Sequence, residues 1–134
     1  MRNAIIFLDS GDTLVDESTE VRIKGDVVDH AEFFPGIKEV LFQLKNAGFR
    51  VALVADGLVE SFDNIYQQHE METYFEVRAI SETVGVCKPA GEMFKTAMEK
   101  MNLEEADKKY IIMIGNNLER DIVGANRMGI TSVL

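Results

Sequence analysis

The chain has 134 residues and a mass of 15.0 kDa, the size of one domain with a core large enough to stand without disulfides or a structural metal. Hydrophobic residues make up 46% and charged residues 28%, which excludes an intrinsically disordered chain. The net charge of −9, from 14 basic and 23 acidic residues, argues against nucleic acid and anionic membranes as partners and requires any phosphate binding to be local.

Ala4 to Leu8 is continuously apolar, the mark of a strand buried on both faces. The polar turn Asp9-Ser10-Gly11-Asp12-Thr13 follows it directly. Ile37, Val40, Leu41 and Leu44 repeat at helical spacing, with Gly48 as the stop. Val51 to Ala55 reads as a second buried strand, followed by Asp56-Gly57 and a helix carrying Leu58, Phe62, Ile65 and Tyr66. Val77 to Ile80 is a weaker strand. Cys87-Lys88-Pro89 precedes a helix with Phe94, Ala97, Met98 and Met101 on its apolar face, and Pro89 suits that helix's first position. Tyr110 to Ile114 is a further strand. After Gly115, the residues Leu118, Ile122 and Ala125 predict a helix ending near Gly129, and Thr131 to Leu134 predicts a last strand. Met98, Met101 and Met113 read as core filler. Apolar strands alternating with amphipathic helices predict a three-layer α/β fold: five parallel strands with helices on both faces.

Ligands of such sheets bind beyond the carboxyl ends of the strands. Four segments lie there: Asp9 to Thr13, Asp56-Gly57, Cys87-Lys88-Pro89, and Gly115 to Asp121. An Asp at a strand's end, followed by a Gly-containing turn and a Thr, suits phosphoryl chemistry. Its carboxylate can attack or hold a metal, while backbone N–H groups face phosphate oxygens. Each segment also has a plain structural explanation. Asp and Gly are common turn residues, Lys88 can be a surface lysine, and Asn116, Asn117 and Asp121 can serve the start of a helix. The ordered set is what points to a site.

That set resembles the haloacid dehalogenase-like hydrolases. Their first motif, a hydrophobic strand followed by Asp-x-Asp-x-Thr, aligns with Ile5 to Leu14. Their second, a strand ending in Ser or Thr, falls on Ala55. Their third, a Lys and often Lys-Pro, matches Lys88-Pro89. Their fourth, Gly-Asp and then a second Asp, falls on Gly115-Asn116 and Asp121. Phe34-Pro35-Gly36 looks like the family's entry to its first core helix, and Asn116 to Gly129 like its stretch after the fourth motif. The resemblance implies a Mg²⁺-dependent phosphohydrolase working through an aspartyl-phosphate. Asp9 would be the nucleophile, and Lys88 would neutralise charge while held by Asp121. Gly11, Asp12, Thr13, Asp56, Gly57 and Lys88 would form the phosphate-binding surround. The metal would fall to Asp9, Gly11, Asn116 and Asp121.

The chain departs from the family pattern at three places. The family's acid/base Asp is Gly11, its phosphate-holding hydroxyl is Ala55, and its metal-binding Asp is Asn116. Loss of an acid/base typically lowers rate ~10²–10⁴-fold, and an amide in place of a carboxylate weakens a Mg²⁺ site. Weak turnover is therefore expected. A catalytically impaired binding or regulatory protein of the same fold is the alternative, and a receiver-type phosphoacceptor domain is a further one. The receiver reading is opposed by the single helix between the first strand and Asp56, and by the strand-helix unit that follows Lys88-Pro89. Only 21 residues run from Leu14 to Phe34, room for a hairpin or flap rather than the cap domain often inserted there. The expectation is one domain over residues 1–134 with a flap insert at about 14–34. An open site implies a large phosphorylated substrate, a partner, such as another subunit, that closes it, or poor substrate selection. Family members usually continue past the last strand, which implies a short form or a truncated chain.

The remaining residues carry less. His30 and His69 stand alone, without metal-ligand spacing. Asp16, Glu17 and Glu20 read as a solvated flap surface rather than a cation site. The one cysteine, Cys87, abuts Lys88 and reads as an incidental residue lining the site, and it fits a reducing cytoplasm. Apolar runs of five residues, where a span needs about 20, predict no membrane segment, and Asp9 interrupts any signal-peptide run.

Overall fold

The apolar runs become strands in the computed structural model, which describes residues 3–134. In chain order the elements are β1 (Ile5–Leu8), β2 (Val15–Lys24), β3 (Val27–Phe33), α1 (Ile37–Asn46), β4 (Arg50–Ala55), α2 (Val59–Gln68), β5 (Val77–Ile80), the short α3 (Ser81–Val84) and α4 (Gly91–Lys100). A 3-10 turn over Glu105–Tyr110 then leads to β6 (Ile111–Ile114), a π-helical turn over Leu118–Val123, α5 (Gly124–Arg127) and β7 (Thr131–Val133). The expected three-layer α/β architecture is observed. Five strands form one parallel sheet in the order β5-β4-β1-β6-β7. β1 is central, with Leu8 paired to both Leu53 and Ile114.

Alternation along the strands splits the core into two layers. Ile6, Leu8, Val51 and Leu53 face Leu41 of α1 and Phe62, Ile65 and Tyr66 of α2. Ile5, Phe7, Ala52 and Val54 face Met93, Phe94, Ala97 and Met98 of α4 and Ala125 of α5. Both faces of the central strands are therefore covered, which is why they read as unbroken apolar runs. Met98, Met101 and Met113 are buried, as core filler should be. Tyr74 fastens α1 by donating its hydroxyl hydrogen to the Leu41 carbonyl at 2.6 Å.

Residues 15–33 form the antiparallel hairpin β2–β3, outside the main sheet. α2 satisfies one edge of β3 with side chains. Ser61 Oγ accepts from Val28 N–H at 2.9 Å and Asn64 Nδ2 donates to the Val28 carbonyl at 2.9 Å. Gln68 Oε1 accepts from Ala31 N–H at 3.0 Å, and His69 Nε2 meets the Ala31 carbonyl at 2.7 Å. An edge strand's backbone needs such partners, and here a polar helix face provides them.

Three local expectations are corrected. Pro89 is not the first residue of α4: the helix begins at Gly91 with Ala90 as its N-cap, and the Lys88–Pro89 peptide is cis. Val40 is 49% exposed, leaving Leu41 as the fully buried residue of α1. Leu118 is 64% exposed, because the chain makes a π-helical turn there, with Ile122 N–H reaching the Asn117 carbonyl five residues back. A wide turn breaks the 3.6-residue period on which the helix reading relied. Among the described residues no helix is long and apolar enough to cross a membrane.

Candidate active site

β1 delivers Asp9 to the carboxyl edge of the sheet, where its backbone N–H is held by the Ile114 carbonyl at 3.0 Å. Lys88 reaches the same point from the loop before α4. Its ammonium is 1% exposed and has three partners: Asp9 Oδ1 at 2.9 Å, Asp121 Oδ1 at 2.5 Å and the Val54 carbonyl at 2.8 Å. An ammonium has three hydrogens to donate, so Lys88 is fully committed. It is a buried cation clamped between two carboxylates and a strand end, not the lysine of an exposed helix mouth.

Asp121 is itself buried. Its second oxygen, Oδ2, accepts from Asn117 N–H at 3.0 Å. A Cβ on Gly115 would lie 2.3 Å from the Asp121 carboxyl, so only glycine lets this side chain fold in so closely. The π-helical turn is what aims Asp121 inward, and such turns are frequent at functional sites. Asp121 thus holds Lys88 with one oxygen and the Asn117 N–H with the other, and each oxygen keeps a further lone pair.

Asp9's other oxygen, Oδ2, accepts from the Thr13 hydroxyl at 3.1 Å, and that hydroxyl also lies 3.4 Å from Asn116 Oδ1. One hydroxyl hydrogen serves one of these oxygens at a time, so the other keeps free lone pairs. Among the described residues no three Asp, Glu, His or Cys side chains gather as a metal site. The donors that do converge, one carboxylate and one amide oxygen, are hard oxygen ligands of the kind Mg²⁺ takes alongside several waters. Burial pushes the Asp9 carboxyl above its usual range; Lys88 opposes this and Asp121 adds to it.

Beside Asp9 lies an open cleft of about 300 Å³, bounded by the first turn, α2 and the hairpin. Gly57 and Asp56 reach it, and Asp56 is held in place by Lys88 N–H at 2.9 Å on Oδ1, with Arg120 3.6 Å from Oδ2. The Gly57 N–H is already taken by Ser81 Oγ at 2.8 Å. Asp12 turns away. It is exposed, with φ 55°, and its carboxylate caps the Glu17 N–H at 3.0 Å instead of lining the cleft. Within the first turn the N–H groups of Asp12, Thr13 and Leu14 bond to backbone carbonyls; that of Gly11 has no partner among the described residues. Ala55 is buried and brings no hydroxyl. Cys87, expected to line the site, is exposed and free and does not line the cleft.

Sequence reasoning missed three contributors. Ser10 is buried and its hydroxyl pairs with Tyr66 at 2.8 Å, bracing the turn from below. Arg120 brings a cation to the cleft. Glu17, read as flap surface, lines the cleft next to Gly11. Its carboxyl is held above its usual range by desolvation and by the nearby Asp12, Glu20 and Asp9. No local pattern marks Glu17 as different from Asp16 or Glu20; only the hairpin's path does.

The family model for haloacid dehalogenase-like hydrolases matches residues 9–134, from the Asp9 turn to the last residue. The chain belongs to this family. Among its relatives is the glyceraldehyde 3-phosphate phosphatase of Pyrococcus abyssi, 34% identical over 100 residues that cover 74% of this chain and 40% of that protein. The chain spans about two fifths of the length of the curated relatives it matches. The HAD phosphatase from Thermococcus onnurineus shares the fold with a TM-score of 0.80 at 14% identity, over 96% of this chain and 84% of that one. The HAD-hydrolase YfnB from Bacillus subtilis, solved bound to magnesium, gives 0.80 at 14% identity over 98% and 88%.

Proposed function

We propose that this haloacid dehalogenase-like chain hydrolyses phosphomonoesters through an aspartyl-phosphate on Asp9. The observation that carries the reading is the Lys88 ammonium, buried and fixed 2.9 Å from Asp9 Oδ1 at the floor of the cleft. A carboxylate attacking a phosphate meets charge repulsion, and a cation already in place offsets it without reorganisation. The names of the relatives, phosphatases acting on small phosphorylated molecules, support the same class of reaction.

Asp9 would attack phosphorus, forming the Asp9–phosphorus bond as the ester oxygen leaves. Water would then attack the same phosphorus and release phosphate. Lys88 would balance charge on Asp9 and the phosphoryl group throughout, held there by Asp121. The Gly11 N–H is a donor for a phosphoryl oxygen, and Asp56 and Gly57 shape the wall beside it. Asp9, the Gly11 carbonyl and Asn116 would hold Mg²⁺, which supplies charge neutralisation on the phosphoryl oxygens when bound. With one carboxylate in that set, binding is weak.

The site is open, so the phosphorylated substrate is a small molecule that the hairpin covers in part, or a larger one whose phosphate reaches the cleft. Turnover of an aryl phosphate with Mg²⁺, lost in Asp9→Asn, tests the reading. If the wild type neither turns over nor forms an acyl-phosphate, the binding or regulatory reading, suggested by Gly11, Ala55 and Asn116, replaces it.

A further inference from the structure

Phosphoryl transfer onto and off a carboxylate needs a proton carrier beside it. The departing alkoxide must gain a proton and the attacking water must lose one. The first turn offers none at Gly11, which has no side chain. Of the other carboxylates lining the cleft, Asp26 stands at the tip of the hairpin, between β2 and β3, and three are held by partners. Asp121 is locked on Lys88 and Asn117, Asp56 on the Lys88 N–H, and Glu20 pairs with Arg22 at 3.1 Å. Asp12 points out of the cleft onto a backbone N–H.

We propose that Glu17, on the hairpin strand β2, is the general acid and base of the Asp9 site, bringing in from the hairpin the carboxylate that position 11 lacks. This rests on the hydrolase reading above. A Cβ built on Gly11 would lie 2.7 Å from Glu17 Oε1 and 2.9 Å from Glu17 Cδ. The carboxyl group of Glu17 thus fills the space that a side chain at position 11 would enter, two residues along the turn from Asp9. Gly11 does not have a left-handed backbone, so its conformation does not demand glycine; a side chain there would require the end of the Glu17 side chain to shift aside. The Glu17 carboxyl accepts no hydrogen bond among the described residues, lines the cleft with Asp9, and is exposed enough to exchange its proton with water. Its backbone is pinned by the Asp12 carboxylate at 3.0 Å, which fixes where the side chain starts.

The steps balance. In the first, Asp9 bonds to phosphorus, the bond from phosphorus to the ester oxygen breaks, and Glu17, protonated, gives its proton to that oxygen to release an alcohol. In the second, the Glu17 carboxylate takes a proton from water as the water oxygen bonds to phosphorus. The Asp9–phosphorus bond breaks, phosphate leaves, and Glu17 is protonated again.

Rapid-mix kinetics with an aryl phosphate and Mg²⁺ on wild type, Glu17→Gln, Glu17→Ala, and Glu17→Ala combined with Gly11→Asp test this. An aryloxide leaves without help, so Glu17→Gln should keep the burst that reports the aspartyl-phosphate. Its steady rate should fall ~10²–10⁴-fold, because the water still needs a base. With an alkyl phosphate the burst itself should slow. The double variant moves the carboxylate to the turn and clears the space it needs, so it should regain steady turnover that Glu17→Ala alone lacks. A Glu17→Gln steady rate within about threefold of wild type would overturn the role of Glu17 while leaving Asp9 chemistry standing. A wild type with no Asp9-dependent burst would overturn the hydrolase reading, and this inference with it.

Discussion

Asp9, Lys88 and Asp121 form a buried group of two carboxylates and one ammonium, and its net charge is negative. The desolvation of such a group offsets much of its internal attraction, so it adds little net stability. Because the folded state raises the Asp9 carboxyl, the folded protein binds more protons there than the unfolded chain does. The Asp9 contribution to stability therefore falls as pH rises from about 4 through its folded value. Asp9→Asn removes that loss while Lys88 keeps Asp121. In metal-free urea titrations the variant should gain on the wild type between acid and neutral pH; a stability difference independent of pH would contradict the assignment. Asn116 gives a second test at this scale. Asn116→Asp places a second carboxylate beside Asp9, so calorimetry should show Mg²⁺ binding tighten by about tenfold or more. Equal or weaker binding would remove Asn116 from the metal shell.

Among the elements, the hairpin is the part that makes this chain's site particular, and it is held by side chains of α2 rather than by the sheet. Ser61→Ala leaves the Val28 N–H without its partner. That should cost about 1–3 kcal/mol and speed exchange of the β3 amides while those of β1 and β4 stay protected. Unchanged β3 exchange would show that the hairpin is anchored elsewhere. The strands were legible in the sequence because both their faces are covered, so Ile5 to Leu8 and Val51 to Ala55 are apolar throughout. The two Asp residues and Lys88 were legible as ends of those strands and of the loop before α4. Three features were not. The inward turn of Asp121 depends on a π-helical turn that a 3.6-residue period cannot register. The Ser61 and Asn64 contacts look like any polar helix face. Glu17 is one acidic residue among several until the hairpin folds back over Gly11.

At the scale of the whole molecule, a net charge of −9 repels phosphorylated ligands at long range, so recognition falls to the few cations at the cleft. Lys88 is buried at its floor, and Arg22 and Arg120 line its sides. In the proposed reaction these groups act together on a phosphoryl group carried by Asp9. The most direct measurement is acid quenching of the protein during turnover of an aryl phosphate with Mg²⁺, followed by peptide mass spectrometry. The expected result is one phosphoryl group, labile to hydroxylamine, on the peptide carrying Asp9, and none in Asp9→Asn. Steady turnover in Asp9→Asn, or a phosphoryl group on a different residue, would contradict it.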